Sequence, residues 1–149
     1  MIKAPHTYSE WAEVIGIFKN KEDDEDALKA MKAGTVEWQS GVAERFSKRL
    51  IDAVNYRMNA ASDKFQKELS RSRGEDRAII QAILGLRKEM AFLAQAIDLP
   101  AIPQELRSQY IKMVYDQADT MQKSLEDSAK SDRSGKMSSI IRNHKVNSF

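Results

Sequence analysis

The chain has 149 residues, no cysteine, and 24 basic against 22 acidic side chains, a formal net charge of +2. That length suits one domain with a usable core. The missing thiols exclude a disulfide scaffold, a thiol nucleophile and thiolate metal sites, and so small a net charge does not by itself point to nucleic acid. Hydrophobic residues make up 42% and charged residues 31%, with only six Gly and three Pro, so the chain is globular, helix-prone and too poor in turn formers for an all-β sandwich.

The N-terminal stretch MIKAPHTYSEW has no apolar core of the kind a secretory signal needs. Thr7 and Glu10 stand at capping-box spacing, and Trp11, Val14, Ile15 and Phe18 follow at i, i+3, i+4 and i+7, which predicts a helix over 8–19. A second short helix ends by 33. Its acids (Glu22 to Asp26) come first and its bases (Lys29, Lys32) last, as the helix dipole favours, and Gly34 suits a left-handed C-cap. Leu28 and Met31 are its only strong apolar residues, so it is expected at the periphery.

Thr35 is placed to cap a third helix over 36–71, about 50 Å long at 1.5 Å per residue. Trp38, Val42, Phe46, Leu50, Val54, Ala61, Phe65 and Leu69 recur along it in steps suited to one buried face. Weak helix formers at Asn59, Ser62 and Asp63 predict a kink or break near 59–63. The segment RSRGEDR (71–77) is the clearest turn, and a fourth helix follows over 75–97. There Ile79, Ile83, Leu86, Met90, Leu93 and Ile97 alternate by four and three in an a/d seam, which Ile80 and Leu84 widen. Arg87, Lys88 and Glu89 in the middle of this run exclude a membrane span. Pro100 and Pro103 separate it from a fifth helix over 103–129, with Leu106, Tyr110, Met113, Val114, Ala118, Met121 and Leu125 facing inward.

These elements predict an all-α fold. Residues 1–130 form a single domain, an elongated helical bundle built on a long antiparallel hairpin, with a third long helix alongside and two short N-terminal helices (8–33) over one end. A lone hairpin is marginal once conformational entropy is counted, so the seam calls for a three-helix core or a second copy of the chain. Residues 131–149 lose the helical pattern and are expected to be a tail, mobile when alone, that docks in a partner's groove, adds a strand to a sheet or lies on its own bundle.

Few residues suggest chemistry. The acidic run lacks the alternate spacing and the glycine of a calcium loop. His6 and His144 lie at opposite ends, and no phosphate cradle, nucleophile elbow or HExxH pattern occurs. No catalytic residue, metal ligand or cofactor is therefore assigned, and the expectation is a non-enzymatic cytoplasmic interaction protein. It is expected to self-associate as a homodimer or higher oligomer and to meet a protein partner, with no membrane involved. The tail supplies the candidate partner-binding residues Met137, Ile140, Ile141, Arg142, Lys145, Val146 and Phe149, five apolar side chains beside bases. The alternative is a nucleic-acid-binding accessory protein. At about 100° per residue, Arg45, Arg49, Arg57, Lys64, Lys67 and Arg71 share a broad flank of the third helix, which Arg73 and Arg77 extend around the turn. Asp52, Asp63 and Glu68 interrupt that stripe.

Overall fold

A computed structural model describes residues 1–36, 41–132 and 134–149, and of Ala43 the backbone alone. Trp38 and Arg133, placed above in the third helix and the tail, lie outside the described residues. The chain is all-α. Its helices are α1 Tyr8–Lys19, α2 Asp24–Ala33, α3 Val42–Ser72, α4 Asp76–Ile97, α5 Gln104–Ala129 and α6 Lys136–Asn143, and no strand occurs among the described residues. The long pair α3 and α4, joined at 73–75, is the bundle's hairpin. No helix among the described residues is long and apolar enough to cross a membrane. The chain has two compact units, to each of which α3, α4 and α5 contribute: residues 1–58 with 95–111, and residues 59–94 with 112–149.

In the first unit, α1 opens with the capping box that Thr7 and Glu10 predict: Glu10 N–H donates to Thr7 Oγ1 (3.1 Å) and Thr7 N–H to Glu10 Oε1 (3.0 Å). The hydrogen bonds from Thr7, then from the His6 backbone, hold the Glu10 carboxyl below its ordinary pKa. Trp11, Val14, Ile15 and Phe18 are buried on the stripe their spacing defines. Asp23 caps α2, accepting from Asp26 N–H at 3.2 Å. This helix packs on α1 and is less peripheral than its composition implies, because Ala27 and Ala30 are buried beside Met31 while Leu28 is half-buried. Small side chains let the two backbones approach, a role that a count of large apolar residues does not register.

Two expectations at the start of α3 are corrected. Gly34 is not left-handed; its φ is −72° and ψ 158°, ordinary extended backbone. Glycine is needed there for space, since a Cβ would stand 2.5 Å from Trp11 Cζ2 and 3.0 Å from Pro5 Cγ. Thr35 does not cap α3. Its N–H donates to the Pro5 carbonyl (3.0 Å), its carbonyl accepts from Trp11 Nε1 (2.8 Å), and its hydroxyl lies 2.7 Å from His6 Nδ1. The helix starts only after Gly41, whose φ of +85° cannot belong to a right-handed helix.

No break interrupts α3 at 59–63. The weak formers stay helical, and the boundary between the two units falls at that same place, after Met58. Tertiary packing overrides propensity here.

In the second unit, Arg73 and Gly74 turn the chain with φ of 51° and 78° before α4. The seam residues Ile79, Ile83, Leu86, Met90 and Leu93 are at most 4% exposed, as is Ile97 in the first unit. Of the widening residues, Ile80 is half-buried and Leu84 exposed. The inward face of α5 is buried from Val114 through Ala118, Met121 and Leu125, whereas Met113, and Leu106 and Tyr110 in the first unit, are only half-buried.

Of the courses open to the tail, it takes the one that lies on the chain's own helices. Residues 136–143 form α6, and Ile140, Ile141 and Val146 are buried. Val146 N–H donates to the buried Gln122 Oε1 (2.9 Å), Asn147 Nδ2 to Asp119 Oδ1 (2.9 Å), and Phe149 stacks on Tyr115 at 4.9 Å between ring centroids. Lys136 pairs with Asp76 at the start of α4. Eight residues are too few for a stable isolated helix, so α6 depends on this packing and on its own first turn. There Asp132 accepts from Met137 N–H (3.0 Å) and from both the hydroxyl and the N–H of Ser134. These bonds, Met137's foremost, hold the Asp132 carboxyl below its ordinary pKa. A depressed carboxylate contributes stability that is present above its unfolded pKa, near 4, and is lost as pH falls through the folded value. Amide exchange in α6, corrected for intrinsic rates, is therefore expected to accelerate relative to α4 below about pH 4. In Asp132→Asn the α6 amides are expected to exchange faster already at neutral pH, with most of that pH dependence gone.

Candidate functional site

The first unit holds a cleft of about 380 Å3 lined by Tyr8, Ile15, Gly16 and Lys19 of α1 and by Arg45, Lys48, Arg49, Asp52 and Ala53 of α3. The α3 residues sit at i, i+3, i+4, i+7 and i+8, so helical geometry alone places them on one face. The α1 residues follow the same rule, with Ile15, Gly16 and Lys19 within one turn and Tyr8 two turns before Gly16. Ile15 and Ala53 are buried and anchor the base of the two walls. Next to these buried positions, the charged side chains reach water from the outer edge of each stripe.

The polar rim is organised around Tyr8. Arg49 Nε donates to the Tyr8 hydroxyl at 3.1 Å, and the guanidinium carbons of Arg45 and Arg49 lie 5.4 and 5.5 Å from the Tyr8 ring centroid. Arg45 Nε also donates to the Gly41 carbonyl at 3.3 Å. At the other end of α1, Lys19 Nζ stands 4.7 Å from the ring centroid of the exposed Tyr56. All three ring contacts are of cation–π type. Among the described residues none of Lys19, Arg45, Lys48 and Arg49 forms an ion pair with a carboxylate, and Asp52 is the single acid lining the cleft. Four cations against one carboxylate give a positive local field, although the first unit as a whole carries more acids than bases.

The basic stripe read from the sequence is redistributed. Arg45 and Arg49 line the cleft. Arg57 leaves the surface: it is 2% exposed, with Nη1 and Nη2 donating to Asp24 Oδ1 and Oδ2 at 2.8 and 2.9 Å, Nη1 also donating to the Phe18 carbonyl, and its guanidinium over the Phe18 ring. Lys64, Lys67, Arg71, Arg73 and Arg77 are exposed in the second unit, Lys64 beside Glu68 at 3.8 Å. Lys19, Lys48, Tyr8 and Gly16 were not singled out in the sequence. Lys48 was recoverable, since it lies between Arg45 and Arg49 on the same flank; Tyr8, Gly16 and Lys19 belong to another helix, and only the packing of α1 on α3 brings them in.

The tail residues divide as well. Ile140, Ile141 and Val146 are buried, Met137 and Phe149 are half-buried, and Arg142 and Lys145 are exposed. Most of the apolar surface assigned to a partner is thus spent inside the chain. Compared with family models, curated proteins and solved structures, the chain matches none.

Proposed function

We propose that this chain is a non-enzymatic nucleic-acid-binding protein that holds a phosphodiester backbone in the α1–α3 cleft. The observation that carries this reading is one cleft lined by Lys19, Arg45, Lys48 and Arg49, none with a carboxylate partner among the described residues, with Arg45 and Arg49 over the half-buried Tyr8. Cations so placed release counterions when phosphates replace the ions around them, and arginine adds geometry matched to phosphate oxygens. Self-association, the first expectation, rested on a surplus of seam positions. Within one chain Ile79, Ile83, Leu86, Met90, Leu93 and Ile97 are each at most 4% exposed, so that seam does not support the first expectation over the cleft.

Titration of a labelled oligonucleotide by anisotropy, repeated across a salt series, tests the reading. Affinity is expected to fall steeply as salt rises, and Arg45→Glu with Arg49→Glu to weaken binding at low salt and reduce the log–log salt slope by about two, one per lost phosphate contact. Lys67→Gln with Arg71→Gln, in the second unit, measures what the remaining stripe adds. If no oligonucleotide binds at low salt, the proposal is wrong.

A further inference from the structure

The floor of the cleft points to what enters it. Gly16 sits inside α1, where glycine weakens a helix relative to alanine. Its packing does not require glycine, since a Cβ added there meets nothing within 4 Å. The missing side chain therefore leaves open space on the cleft side. Across from it, α3 presents the small Ala53, with Asp52 beside it as a hydrogen-bond acceptor, while the cations stand along the rim. A cleft of about 380 Å3 lies within the range of small-ligand sites, roughly 300–1,000 Å3. A flat ring can enter such a space, whereas the edge of a duplex, a rod whose bases are stacked inside, brings only phosphates to the rim.

Resting on the proposed nucleic-acid reading, we infer that the cleft takes one unstacked nucleotide of a single strand, its base laid over Gly16 and Ala53 and its flanking phosphates on Arg45, Lys48 and Arg49. The Tyr8 ring then borders the base as its stacking surface, a mode that tolerates any base. Lys19, one turn beyond Gly16, meets the next phosphate along the strand.

The test uses the full-length chain and three probes at one salt concentration: an oligothymidylate of about 12 nucleotides, its duplex with oligoadenylate, and inorganic polyphosphate as a competitor without bases. The single strand is expected to bind about tenfold tighter than the duplex, and polyphosphate to compete poorly at equal phosphate content. Gly16→Leu, which fills the floor, is expected to cost the single strand about tenfold in affinity while leaving its salt slope unchanged, because no cation is removed. Gly16→Ala, which favours the helix, should melt no lower than the parent and controls for folding. If single strand, duplex and polyphosphate bind alike and Gly16→Leu changes nothing while melting normally, the base seat is refuted and the wider polyanion reading stands. If none of the three binds, both fall.

Discussion

Asp24→Ala is expected to destabilise the chain by about 3 kcal/mol in denaturant melts, the low end of the cost of breaking a buried ion pair. Arg57 is 2% exposed, and it reaches Asp24 with two parallel hydrogen bonds of 2.8 and 2.9 Å. Removing the carboxylate takes two charge-assisted hydrogen bonds from a guanidinium that stays buried, where it also donates to the Phe18 carbonyl. The opposite change is milder. In Arg57→Met the side chain left behind is Asp24, about a third exposed (35%), which can turn to water, so roughly half the loss is expected. Asp24→Leu with Arg57→Met is expected to recover most of the Asp24→Ala loss, since an apolar pair of similar volume removes the buried charge altogether. Arg57→Met costing more than Asp24→Ala is the result that rejects this account.

Trp11→Ala is expected to cost about 4 kcal/mol, the range for deleting a large buried aromatic side chain. The indole is 1% exposed, meets Phe46 edge-on at 4.6 Å between centroids, and donates through Nε1 to the Thr35 carbonyl. Gly34→Ala is expected to cost about 2 kcal/mol through the same group, because the new methyl overlaps the rigid indole rather than a flexible side-chain end. The two effects are coupled. In a Trp11→Phe background the smaller ring vacates the Cζ2 region, so Gly34→Ala is expected to cost less than half as much there. Equilibrium unfolding of the four variants of that cycle measures the coupling. Strict additivity contradicts the steric account and returns Gly34 to a purely conformational role.

The cycle also marks how far local reading extends. Gly34 at the end of a helix reads as a left-handed cap because that is the commonest reason for glycine in that place. Its real constraint comes from a tryptophan one helix away, which no local pattern encodes. Arg57 is a similar case. In one dimension it differs in nothing from Arg49, and its burial becomes visible only when Asp24, 33 residues away, is brought to meet it. The acidic run around Asp24 reads correctly as a helix start, yet one of its carboxylates also neutralises a core cation.

For the candidate site, the sequence identifies half of one wall. Arg45 and Arg49 stand out because bases spaced three and four apart on one helix share a face. The facing wall of α1 is hidden by its own regularity: Tyr8 and Lys19 flank an apolar stripe and look like ordinary boundary residues, and Gly16 looks like a weak point in a helix. The helix in the tail is hidden for a related reason. Ile140, Ile141 and Val146 have no helical run long enough to register, and they become ordered only by docking in the second unit, where Gln122 receives the Val146 amide.

Hydrophobic periodicity, the charge order of α2 and the Thr7–Glu10 spacing by themselves determined the all-α class, the presence and near-limits of α1, α2, α4 and α5, the seam of α4 and the capping box of α1. Each of these is written in spacings of three, four and seven residues, within the reach of a single helix. Only the tertiary structure decided the division into two units, the start of α3 after Gly41, the burial of Arg57, the ordering of α6 and the composition of the cleft. Those depend on which side chains from distant segments exclude water from one another, and burial is a property of the assembled neighbours rather than of any residue type.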